Sequence, residues 1–279
     1  GIATGGGAGV AIAAALAAAM IGGSLVVKDG AAAEVSRFPM SLAIAAALAV
    51  AAVCGLWNGL LVARIGMQPI IATLILMVAG RGIAQLITGG QIITIYYAPY
   101  FFIGGGYLLG LPFALFIAAG VAVLMYLAVT RTALGLFIQS VGINPAAAHL
   151  AGVRARRLIV GVYVFCAFCA GLAGLIISSN VKSADGNNAG LLLELDAILA
   201  VTLGGTALTG GRFSLVGSVI GALIIQTLTY AIYSMGVPPE INLVVKAVVV
   251  FLVMLLQSAE FRAQLRSLVL RPVRGEVRS

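Results

Sequence analysis

Few residues of this chain are of a type that does chemistry, and fewer are spaced to do it together. Its 279 residues hold 8 Asp and Glu, 16 Lys and Arg, 3 Cys and 1 His. Nucleotide hydrolysis needs a Gly-rich turn that runs into Lys and then Ser or Thr. The lysines, Lys28, Lys182 and Lys246, stand in no such turn. Acyl or zinc-assisted hydrolysis needs a GxSxG elbow, an HExxH helix or paired carboxylates with a metal partner, and none occurs. Cys166 and Cys169 form a CxxC on one helix face, a metal-ligand spacing, but no second pair and no His accompanies them. They read as small packing residues, like Cys54. His149 likewise has no second ligand. The chain is therefore read as no enzyme, with no cofactor and no metal of its own. What remains is four charges set in otherwise apolar sequence: Arg81, Glu194, Asp196 and Lys246.

Such charges take their meaning from the solvent around them. Only 9% of residues are charged and 62% are hydrophobic, whereas roughly a quarter are charged in an ordinary soluble domain. With a mean hydropathy of +1.17, a water-soluble enzyme, a disordered chain and a secreted disulfide scaffold are all excluded. A bilayer-crossing helix needs roughly 20 mostly apolar residues. Eight stretches qualify: 7–27, 40–63, 69–88, 107–130, 158–178, 192–209, 213–235 and 241–257. The prediction is an all-α, polytopic transmembrane helical bundle of about eight spans, filling residues 1–260, with a basic tail over 261–279. A β-barrel would alternate polar and apolar positions, but Ala43 to Val53 and Val244 to Leu256 are apolar at nearly every position.

The net charge of +8 follows the membrane rather than a ligand. Eight alternating spans place Arg64, Arg131, Arg154, Arg156, Arg157, Arg212, Arg262, Arg266, Arg271, Arg274 and Arg278 on one side, and only Lys28, Arg37 and Lys182 on the other. Cytoplasmic connections carry such an excess, so both ends of this chain are expected in the cytoplasm and no nucleic acid is a partner. Helix rise then puts Arg81 about 20 Å up a core about 30 Å thick and Lys246 about 8 Å below the outer surface. Glu194 and Asp196, entering from outside, lie at a similar depth. An unpaired charge costs about 3 kcal/mol or more at the bilayer centre. At least one of Arg81 and Lys246 is therefore expected to pair with Glu194 or Asp196 and to gate the outer end of a pathway.

Other signals concern packing, breaks and docking. Gly55 with Gly59 and Gly217 with Gly221 are GxxxG pairs, and Gly171 with Gly174 extends a small face, which predicts close helix approach. The pairs Gly204, Gly205 and Gly210, Gly211 predict a break near the end of the stretch 192–209. Uncharged, aromatic Gly89 to Gly106 is expected to lie flat at the outer surface, with Tyr96, Tyr97, Tyr100, Phe101, Phe102 and Tyr107 in an interfacial belt. The inward connection of about 131–157 holds a short apolar stretch, a break at Gly142 and Pro145, an Ala-rich helical turn and an Arg cluster. A plain linker needs no such amphipathic segment, whereas a surface for a soluble partner does.

Four segments then speak together. "QPIIATLILMVAGRGIAQLITGGQI" (68–92), "VGINPAAAHLAGV" (141–153), "SADGNNAGLLLELDAILAVTLGGTALTGGRF" (183–213) and "PPEINLVVKAVVV" (238–250) resemble the permeases of bacterial ABC sugar importers of the ribose, xylose and galactofuranose group, most of all its galactofuranose branch. The resemblance covers most of the chain from about Asn58 onward. It implies a permease subunit in the bacterial inner membrane that forms the translocation path for a monosaccharide such as galactofuranose or ribose. It also implies a cytoplasmic ABC ATPase, a periplasmic sugar-binding protein and a second permease subunit, identical or closely related, as partners. A cytoplasmic coupling helix is implied within Gly142 to Val153, with Gly142, Asn144, Pro145, Ala147 and Gly152 as its ATPase-docking residues. Family members usually carry ten spans, so two are expected before Gly1, and they commonly read GGIDLSVG where this chain has GGGAGVAI. From the residues without the resemblance, a secondary transporter or channel for a small polar solute stands as the alternative, with buried charges carrying the coupling ions.

Overall fold

The computed structural model describes residues 40–95, 97–186, 188, 190, 193–206 and 213–236, with short pieces at 27–28, 31–32, 244–245, 247–248, 251 and 255. The expected spans 7–27 and, for the most part, 241–257 lie outside the described residues. Helix dominates. In order come α1 (Met40–Leu60), continued by a π-helical turn (Leu61–Ile65), α2 (Pro69–Thr88), α3 (Ala98–Gly105), α4 (Phe113–Arg131), α5 (Leu134–Ile143), α6 (Pro145–Leu150), α7 (Ala155–Val181), α8 (Leu193–Leu203) and α9 (Leu215–Ser234). Strands are two-residue pieces: β1 (Val27–Lys28) pairs with β2 (Ala31–Ala32), β3 (Ile93–Thr94) with β6 (Ser183–Ala184), and β4 (Tyr107–Leu108) with β5 (Leu111–Pro112), all antiparallel.

Five of the described helices are long and apolar enough to cross a membrane: Met40–Ile65, Pro69–Thr88, Phe113–Arg131, Ala155–Val181 and Leu215–Ser234. Each coincides with an expected span, with one marked change of boundary. The stretch 107–130 begins with the β4–β5 hairpin, and helix starts only after Pro112. Within the expected span 192–209 the described helix is α8 alone. α8 is 11 residues long, about 17 Å at the usual rise, and a turn at Gly204 and Gly205 ends it. Gly205 sits at φ +82°, a left-handed backbone that a side chain rarely adopts, so the helix stops there.

By its contacts the chain divides into one unit of Gly1–Ile198 with Thr209–Phe213 and another of Leu199–Leu208 with Ser214–Ser279. In the first, α1 packs on α7 through a ridge of small residues four apart. Ala43, Ala47 and Ala51 are wholly buried, and Gly55 and Gly59 continue the row. A Cβ on Gly55 would stand 2.6 Å from Ala167 Cβ and 2.7 Å from Tyr163 O, and one on Gly59 would stand 2.9 Å from Val160 Cα. Lipid tails give apolar helices no hydrophobic reason to associate, so this close van der Waals fit is what joins the pair. In the second unit α9 meets the end of α8 the same way. A Cβ on Gly204 would collide with Gly217, and one on Gly221 with Ala200 O. The GxxxG pairs thus mark close helix crossings in both units.

Candidate functional site

Of the four expected gate charges, Lys246 lies outside the described residues. Arg81 stands on α2 just after the buried Gly80, and Glu194 and Asp196 occupy the first turn of α8, where carboxylates are favoured by the positive end of the helix. All three are half-buried. Arg81 Nε and Glu194 Oε2 are both shut off from solvent without a hydrogen-bond partner among the described residues, so the two atoms do not bond each other. Asn58 Oδ1 on α1 is a third orphan of this kind, in a side chain only 2% exposed. The other buried polar side chains of α2 are satisfied within their helix: Thr73 Oγ1 donates to Pro69 O at 2.9 Å and Thr88 Oγ1 to Ala84 O at 3.1 Å. Sequence reasoning passed over Asn58, although a lone Asn among apolar residues at a span's end was the available signal.

The connection of about 131–157 resolves into two short helices that meet at Asn144. α5 runs to Ile143, and Asn144 then caps α6, its Oδ1 accepting from Ala146 N at 3.0 Å and Ala147 N at 3.1 Å. Pro145 follows at the first helical position, where its missing N–H costs nothing. Val141, Ala148 and Ala155 form a small core under this corner. Gly142, Asn144, Pro145, Ala147 and Gly152, the expected docking residues, are all exposed. Gly152, at φ +84° with nothing within 4 Å of a would-be Cβ, turns the chain from α6 toward α7.

The aromatic segment departs from the expected flat belt. Tyr96 lies outside the described residues. Tyr107 is exposed, but Tyr100 is wholly buried and belongs to a network with the end of α7. Tyr100 Oη meets Ser178 Oγ and donates to Leu175 O at 3.2 Å. Ser179 Oγ donates to Tyr100 O at 2.6 Å and accepts from Gly104 N at 2.8 Å. Burial pushes the Tyr100 phenol above its ordinary range, and the Ser178 bond works against that rise. Close approach requires Gly104, whose Cβ would lie 2.6 Å from Ile176 O. A phenol at a polar interface would bond water; here Ser178 and the Leu175 carbonyl near the end of an apolar span take its place, Ser179 holds the α3 backbone, and α3 packs onto α7. The β3–β6 pairing and the bond from Ile95 N to Lys182 O at 2.9 Å hold the segment from its other end.

These elements are those of a helical membrane protein with a short helix ended at a Gly pair, buried polar orphans and a capped corner between spans. Residues 2–254 match the family described as the permease component of branched-chain amino acid transport systems. The chain belongs to that permease family. Over 231 residues it is 51% identical to the galactofuranose transporter permease protein of Escherichia coli strain K12, covering 83% of this chain and 68% of that protein. It is 39% identical over 221 residues to the fructose import permease protein of Bifidobacterium longum, covering 78% and 62%. To the ribose import permease protein of Escherichia coli strain K12 it is 37% identical over 221 residues, covering 78% and 68%. The chain thus spans about two thirds of the length of these relatives. No solved structure matches it. As a member of this permease family it is a multi-pass membrane protein, and the relatives just named are permeases of sugar import.

Proposed function

We propose that the chain is the membrane-spanning permease subunit of an ATP-driven sugar importer in a bacterial inner membrane, and that its cargo is a monosaccharide of the galactofuranose or ribose kind. The observation that carries this is the 51% identity to the galactofuranose permease over 83% of the chain. A separate cytoplasmic ATPase supplies the energy, a periplasmic sugar-binding protein delivers the cargo, and a second permease subunit completes the path. Both ends of this chain, including the basic tail 261–279, lie on the cytoplasmic side. The capped corner at Gly142, Asn144, Pro145, Ala147 and Gly152 docks on the ATPase, where rigid helix ends transmit its movement. Arg81, Glu194, Asp196 and Lys246 line or gate the pathway. The orphan atoms of Asn58, Arg81 and Glu194 support that reading, because a polyhydroxylated cargo or its water is what would satisfy them. Affinity purification from its native membrane tests the class. An ATPase subunit retained in stoichiometric amount is the expected outcome, and a chain that purifies alone in active form refutes it in favour of an ion-coupled carrier.

A further inference from the structure

In the connection from α4 to α7 the chain leaves a cleft that borders the docking corner at Gly152. α4 ends at Arg131 and α7 begins at Ala155, and both helices are long and apolar enough to span. Helices of 10 and 6 residues join them, too short at about 1.5 Å per residue to recross a core of about 30 Å. The end of α4 and the start of α7 therefore lie at the same membrane surface. α5, between them, is apolar, yet Leu136 is 68% and Ile143 71% exposed, and Leu134 and Phe137 are exposed as well. A short apolar helix of this kind rests at the boundary of hydrocarbon and headgroups.

Beside α5 opens a cleft of about 400 Å³ whose lining includes Phe137, Gly152, Val153, Arg154, Arg157 and Leu158. Its apolar part is Phe137, Val153 and Leu158, and its polar part is two exposed guanidinium groups. Arg154 is also the N-cap residue of α7, makes no side-chain cap, and is followed by a first turn without an acidic residue. The positive end of a 27-residue helix therefore adds to the arginines. No Asp or Glu occurs in the sequence between Glu34 and Asp185, so the helices that line the cleft carry no carboxylate of their own.

We propose that this cleft holds the headgroup of an anionic phospholipid, with the phosphate against Arg154 and Arg157 and an acyl chain laid on Phe137 and Leu158. Arginine's planar fork matches phosphate oxygens in pairs, and basic pockets beside spans on one membrane face suit such headgroups. A free anion would leave the apolar wall uncovered, whereas a lipid covers both halves of the cleft. The inference rests on the chain being a multi-pass membrane protein and is independent of what it transports.

The test is lipid retention by the purified full chain in phosphatidylethanolamine nanodiscs with and without phosphatidylglycerol, read by native mass spectrometry and by competitive binding of a labelled phosphatidylglycerol. Each arginine near an anionic headgroup is worth about a fivefold factor in affinity, so Arg154→Gln with Arg157→Gln lowers it by about thirtyfold. Arg156→Gln, an exposed charge outside the cleft, leaves it within about twofold, and Arg154→Lys with Arg157→Lys, which keeps the charge and loses the fork, loses less than the double Gln variant. Equal losses for Arg156→Gln, or none for the double Gln variant, overturn the proposal. So does full displacement of the lipid by millimolar inorganic phosphate, which would mean that the cleft takes any anion.

Discussion

Replacing Gly55 by alanine adds one methyl group where α1 and α7 come closest. The new Cβ would stand 2.6 Å from Ala167 Cβ and 2.9 Å from Val164 Cα, whereas carbon atoms pack best at about 3.5–4.0 Å. The atoms in the way are backbone and an alanine methyl, so no side chain can swing aside, and the two helices must part by about 1 Å. Parting them loosens the whole ridge from Ala43 to Gly59. Overpacking of this kind costs about 1–3 kcal/mol, while the helix itself gains about 0.5–1 kcal/mol from alanine in place of glycine. A net loss of about 1–2 kcal/mol is therefore expected. Gly161 on α7 provides the control, since nothing lies within 4 Å of its would-be Cβ. Gly161→Ala should show only the gain. Denaturant unfolding of the two purified variants beside the parent, followed by tryptophan emission from Trp57, measures the difference. Equal stability of Gly55→Ala and Gly161→Ala would refute the packing argument.

Three further predictions follow the same geometry. Tyr100→Phe removes the bonds to Ser178 and Leu175 while keeping the ring, so it should cost about 1–2 kcal/mol in the same unfolding experiment, with sugar uptake retained in cells; an unchanged midpoint would refute the buried network. Asn144→Ala removes the α6 cap, worth about 1 kcal/mol, and Ala147→Glu puts a charge on the exposed corner. Both should lower uptake per ATP hydrolysed without unfolding the spans, as measured in proteoliposomes, and unchanged coupling in both would remove the corner from the mechanism. Asp196→Lys combined with Lys246→Asp, or with Arg81→Asp, should recover uptake lost in the single variants if these charges act as a gate; no recovery in either pair would dismiss it.

How much the sequence discloses depends on the length over which a signal repeats. The five spans are legible because twenty apolar residues in a row have one physical solution in a bilayer. GxxxG spacing also reads through directly, since at the crossings of Gly55 and Gly59 with α7, and of Gly217 and Gly221 with the end of α8, no other residue fits. The corner at Asn144 and Pro145 is visible as a cap followed by proline. Boundaries are less legible. Hydropathy over 107–130 does not show the β4–β5 hairpin, and over 192–209 it averages across the stop at Gly205. Tyr100 is misread because the belt rule counts aromatic residues by composition, while its burial depends on Ser178 and Ser179, more than seventy residues later. Asn58 escaped notice because one polar atom leaves no periodic trace.

Uptake by reconstituted vesicles tests the central claim most directly. Proteoliposomes carrying this chain with its co-purified ATPase, loaded with ATP and supplied outside with the sugar-binding protein and labelled galactofuranose or ribose, should accumulate sugar. Accumulation should stop when ATP, the ATPase or the binding protein is withheld. Accumulation driven by a proton or sodium gradient with no ATPase present would contradict the account.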